Sequence, residues 1–185
     1  MDGKLERCRF PELGEPYDEA LRQAVVHIIE RYDPIAIIVT GTILRGNPSP
    51  TSDLDMWVLW DDPRRQRAQK RFNGVPAEIF VNPPSRVQRY FDEQRGEGKP
   101  ITAHMVSTGY VLYDGDPVLG EIREQAAKEL AHGPEVSDEA LIAQRYRAAT
   151  LLEDGFDIAI DDPAGATMLM SGAVEMLVCA QYLAA

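Results

Sequence analysis

Residues 35–40 read IAIIVT, an unbroken apolar and mostly β-branched run that Gly41 closes. A strand with one wet face would alternate, so this one is expected to be covered on both faces. A second strand is expected at TSDLDMWVLW, where Leu54, Met56, Val58 and Trp60 fall on one face. Asp53, Asp55, Trp57 and Leu59 fall on the other, so both acids point the same way. Unpartnered carboxylates are costly to bury, so the site is expected to bind something through them.

The flanking pattern is mixed. Leu21, Ala24, Val25, Ile28, Ile29 and Tyr32 keep a helical period that Asp33-Pro34 ends. Asp61-Asp62-Pro63 reads as the cap of a short basic helix, PRRQRAQKRF. Val75 to Val81 reads as a third strand, with Glu78 and Phe80 opposite Ala77, Ile79 and Val81. A helix is expected from Pro83-Pro84 to about Arg95, and residues 102–107 suit helix or strand. GYVLYDGD suits a short strand and turn, and Asp116-Pro117 starts a helix to about Ala131. HGPEVSD is the best internal boundary, so the chain divides into a domain over 1–133 and a helical region over 134–185. The latter is expected to hold two helices, about 138–154 and 163–183, separated by Gly155 and Asp161-Asp162-Pro163.

Composition narrows the function. With 185 residues and a formal net charge of −11, the chain suits a globular protein and disfavours nucleic acid as a partner. The charged start MDGKLERCRF lacks the apolar core of a secretory signal, so a cytoplasmic location is expected. Cys8 and Cys179 stand far apart and suggest neither zinc nor a disulfide framework. The apolar stretch 164–185, interrupted by Glu175 and Gln181, suits a packed helix rather than a membrane span. The ending QYLAA has no cap, so the helical region is expected to be incomplete, or completed by a partner such as a second copy.

Two carboxylates at i and i+2 on a strand stand about 6.6 Å apart at Cα, close enough for their heads to share one cation or a pair. Glu78 on a neighbouring strand can close the cluster. Oxygen donors favour Mg²⁺ or Mn²⁺, held jointly by protein carboxylates and phosphate oxygens. Gly41 lets backbone N–H groups approach an anion, Thr42 adds a hydroxyl, and Arg45 can pair with phosphate or with the acids.

Gly41-Thr42 followed after ten residues by Asp53-Leu54-Asp55, with Glu78 on a later strand, resembles the nucleotidyltransferase superfamily. That superfamily includes DNA polymerase beta, the minimal nucleotidyltransferases and the aminoglycoside nucleotidyltransferases. GTILRG is similar to the glycine-serine, arginine-glycine turn of the minimal enzymes, and TSDLDM to their serine-acid-apolar-acid strand, which brings Ser52 into the site. The resemblance implies an α/β (α+β) fold with a mixed sheet flanked by helices, followed by C-terminal helices. It implies an enzyme that uses Mg²⁺ and an NTP and transfers a nucleoside monophosphate to a hydroxyl acceptor with release of pyrophosphate. By position, Asp53 and Asp55 would ligate metal, Glu78 would complete a metal site or act as base, and Gly41 and Thr42 would hold phosphates. Thr42 stands where serine is commoner, and Glu78 where many members have aspartate. The sequence does not single out the acceptor: a small molecule such as an aminoglycoside is one option and a protein side chain another. The rival class is a non-catalytic nucleotide-binding or interaction module that retains the fold.

Overall fold

Helix formation follows the apolar repeat. After a short helix, α1 (Asp2–Leu5), the sequence YDEALRQAVVHIIERY forms α2 (Tyr17–Tyr32), whose buried residues are those with helical spacing. Asp33 ends it in a left-handed conformation, with its N–H donating to the Ile29 carbonyl. The computed structural model describes residues 2–46, 48–49, 51–133 and 135–183.

Every residue of β1 (Ala36–Thr40) is buried. A single 3₁₀ turn over Thr42–Arg45 leads through a loop to β2 (Leu54–Leu59). The segment expected to be a basic helix is instead β3 (Gln66–Phe72), which pairs antiparallel with β4 (Val75–Asn82). The hairpin turn is Asn73-Gly74, both at positive φ, and Phe72 faces Val75 across it. Asn-Gly strongly favours this two-residue turn, and it decides the segment against the helical propensity of its arginines and lysine. Ala68 and Phe72 of β3 pack on the core, while Arg67, Gln69 and Arg71 alternate with them on the exposed face.

A 3₁₀ turn at Pro84–Arg86 precedes α3 (Val87–Gly96), and the ambiguous segment forms α4 (Ile101–Thr108). Next come β5 (Tyr110–Asp114) and α5 (Val118–His132). The sheet order is β3-β4-β2-β1-β5, with β2 and β4 parallel and the other neighbours antiparallel. One face buries Leu54, Met56 and Val58 in a core with α2 residues such as Leu21, Val25 and Ile28. The other buries Ile38, Trp57 and Leu59 with Val87, Phe91, Val106 and Leu119. The fold is therefore mixed α/β, and both faces of the central strands are covered, as the unbroken apolar run required.

The chain forms two compact units, Met1–Gln94 with Pro100–His132, and Arg95–Lys99 with Gly133–Ala185. The second contains α6 (Asp138–Ile158) and α7 (Pro163–Leu183), packed on each other. Ser137 caps α6 by accepting a hydrogen bond from the Ala140 N–H. Gly155 does not end α6 as expected; it lies within the helix, buried, where a Cβ would come within 3.0 Å of Met170 Cγ. Helix packing keeps that residue small. Ile142, Tyr146, Phe156, Ile160, Met168, Val174 and Val178 are exposed on this unit. By length and composition alone, Pro163–Gln181 is apolar enough to cross a membrane, and 17% of its most apolar window is buried. Ala184 and Ala185, the end of the QYLAA segment, lie outside the described residues.

Candidate functional site

The parallel pairing of β2 with β4 sets Asp55 directly beside Glu78, and the period-2 alternation of each strand puts both on the same face of the sheet. Asp53 is exposed one residue before β2 begins. It lines a cleft of about 420 Å³ together with Gln69, Lys70, Arg71, Pro76, Ala77 and Glu78. The next residue on that face of β2, Trp57, is 1% exposed in the core, so it lines no open pocket. Asp55 marks the place where the buried apolar face gives way to acids.

The loop from β1 to β2 is built around Asp55 and Ser52. Gly41 has φ 104° and ψ −173°, a region open in practice only to glycine. A Cβ on it would stand 3.1 Å from Asp55 Oδ2. The glycine thus serves twice, in backbone conformation and in close approach to the carboxylate. Ser52 is buried, and its hydroxyl accepts from the Ser49 N–H at 2.9 Å and shares a hydrogen bond with the Thr42 hydroxyl at 3.1 Å. Tyr17 of α2 donates to the Ser49 carbonyl at 2.8 Å, which ties the loop to the helix. Ser52 and Thr42 therefore brace the loop between Gly41 and the acids. Arg45 is exposed at the end of the 3₁₀ turn.

The electrostatics separate the two paired acids. Burial first, then the charges of Asp53 and Glu78, push the Asp55 carboxyl from its ordinary 3.8 up to about 6, against a smaller opposing effect of Arg67. Glu78 moves the other way. Its Oε1 accepts from Arg67 Nε and, at 3.4 Å, from Gln69 Nε2, and the Arg67 hydrogen bond holds it below the ordinary carboxylate range. Among the described residues, no group of three or more His, Cys, Asp or Glu side chains converges closely enough to hold a metal ion. Asp55 and Glu78 share a register position and a face, while Glu78 is engaged from β3.

Arg67 and Gln69 are members of the site that the sequence reading missed. A helix over residues 63–72 would have scattered them, whereas the Asn73-Gly74 hairpin sets Gln69 opposite Glu78 and Arg67 opposite Phe80. The Asn-Gly pair ahead of an alternating strand was the available signal.

No family model matches the sequence, and no curated protein does. Among solved structures, the nucleotidyltransferase-like protein from Exiguobacterium sibiricum 255-15 is similar to this chain at 14% identity and a TM-score of 0.45. The match covers 85% of this chain and 54% of that one, so this chain spans about half the length of that protein. A likeness of this degree carries neither a reaction nor a residue role across.

Proposed function

We propose that the chain is a metal-dependent nucleotidyltransferase, which transfers a nucleoside monophosphate from an NTP to a hydroxyl acceptor and releases pyrophosphate. The observation that supports it best is Gly41 packed against the Asp55 carboxylate, with Asp55 beside Glu78 in register and Asp53 two residues away. A half-buried acid pushed up to about 6 partly by like-charged neighbours is a place where a cation relieves repulsion. The donor set is all oxygen and fits Mg²⁺ or Mn²⁺. Asp53 and Asp55 would hold the ion, with Glu78 as third ligand or as base. When bound, the ion neutralises triphosphate charge and stabilises the oxygens of an in-line displacement at phosphorus.

The residues of the chain supply the rest. The backbone following Gly41 would receive a phosphate, and Thr42, steadied by Ser52, would offer it a hydroxyl. Arg45, exposed at the end of the same turn, would pair with phosphate oxygens. Glu78, kept ionised by Arg67, has the charge state to accept a proton from the acceptor hydroxyl. The net charge of −11 favours a cationic acceptor, such as an aminoglycoside or a basic protein segment.

Incubation with each NTP, Mg²⁺ and a panel of hydroxylated acceptors tests the reading through acceptor-dependent pyrophosphate release. Release that survives Asp55→Asn would defeat it. A second reading, a nucleotide-binding module without turnover, is favoured by the engagement of Glu78 with Arg67. It predicts Mg²⁺-dependent nucleotide binding with no pyrophosphate from any acceptor.

A further inference from the structure

Glu78 stands on the strand between two competing neighbours. In the order β3-β4-β2, Asp55 lies on one side of it and Arg67 and Gln69 on the other. Its Oε1 takes hydrogen bonds from both β3 side chains, so the carboxylate is held from β3. The Glu78 side chain is 15% exposed and that of Arg67 is 65% exposed, so the acid is confined while the arginine is free to leave. The Arg67 guanidinium also lies 5.1 Å from the centre of the Phe80 ring.

We propose that Arg67 is a positioning residue that withholds Glu78 from Asp53 and Asp55 and thereby sets the affinity of this carboxylate cluster for a divalent cation. The inference rests on the metal-binding reading above. A cation recruiting all three acids must first displace the arginine from Glu78, so apparent affinity falls by the strength of that ion pair. An ion pair whose arginine lies largely in solvent corresponds to a factor of about five in affinity. Arg71 provides the control. It is on the same face of β3, but its Nη1 donates to the Gly74 carbonyl at 3.0 Å.

The test is Mn²⁺ binding to the full chain, followed by calorimetry and by the electron paramagnetic resonance signal of free Mn²⁺. Arg67→Gln should tighten binding about fivefold, Arg67→Lys should stay near wild type, and Arg71→Gln should change affinity much less. In a Glu78→Gln background, Arg67→Gln should have a much smaller effect, because the contest it settles is gone and only the direct charge effect on Asp55 is left. Unchanged or weaker Mn²⁺ binding in Arg67→Gln would overturn the proposal. So would an equal gain with and without the Glu78 carboxylate, which would mean only a long-range charge effect. If wild type binds Mn²⁺ and Asp55→Asn does not, while Arg67→Gln is neutral, the role of Arg67 fails and the metal reading stands. If neither wild type nor Arg67→Gln binds Mn²⁺, both fail.

Discussion

Replacing Asp55 by asparagine should make the metal-free protein more stable at neutral pH, against the usual expectation for a change in a candidate site. The carboxyl is pushed from 3.8 to about 6 by burial and by Asp53 and Glu78. A raised carboxyl pKa means that the folded state binds more protons than the unfolded chain between about pH 4 and 6. Stability therefore falls as pH rises through that window and levels off above it. Without solvent screening the loss at pH 7 would reach about 3 kcal/mol; for a half-buried group, about 1–2 kcal/mol is the reasonable figure. Asp55→Asn keeps the shape and removes the charge, so it should recover that amount at pH 7.5 and almost none at pH 4. In a chain of this size the gain corresponds to a rise in melting temperature of roughly 3–6 °C. Thermal and urea melts of both proteins at the two pH values, in EDTA, measure it. A variant less stable than wild type at pH 7.5, or a difference that does not change with pH, would refute the reasoning.

Mg²⁺ with an NTP should raise the melting temperature of wild type, by the equivalent of about 2.7 kcal/mol at a hundredfold excess over Kd, and EDTA should cancel the rise. An equal rise in EDTA would remove the metal from the account. Gly41→Ala should destabilise by about 1–3 kcal/mol, since it forces a side chain into a φ of 104° and to within 3.1 Å of Asp55 Oδ2. A melt unchanged from wild type would mean that the loop relaxes freely. Gly74→Val in the β3-β4 turn should cost at least about 1 kcal/mol, because β-branched residues resist a φ of 80°, and a neutral result in a urea melt would count against that turn. For the helical unit we propose association with a second copy through its exposed apolar residues. Phe156→Asp with Ile160→Asp should then shift sedimentation toward monomer while helicity persists, and identical sedimentation would exclude those positions.

Much of this molecule is legible along the chain because its signals are local. The spacing of Leu21, Val25, Ile28 and Tyr32 is a helix whatever lies beside it, and the unbroken IAIIVT run calls for cover on both faces. The alternation in DLDMWVLW turns Asp55 to the face of Trp57 by strand geometry alone, while Asp53, expected on that same face, lies one residue before β2; Ala77, Ile79 and Val81 isolate Glu78 by the same alternation. Which strands become neighbours is another matter. No pattern within β2 or β4 says that they run parallel with Asp55 opposite Glu78, because that register comes from packing residues more than twenty positions apart. The same holds for β3. Its basic residues satisfy a helix as well as a strand until the Asn73-Gly74 turn folds them onto β4 and covers Ala68 and Phe72. Only then does Arg67 reach Glu78, so the acids were determined by sequence, and the cation that restrains one of them by tertiary structure.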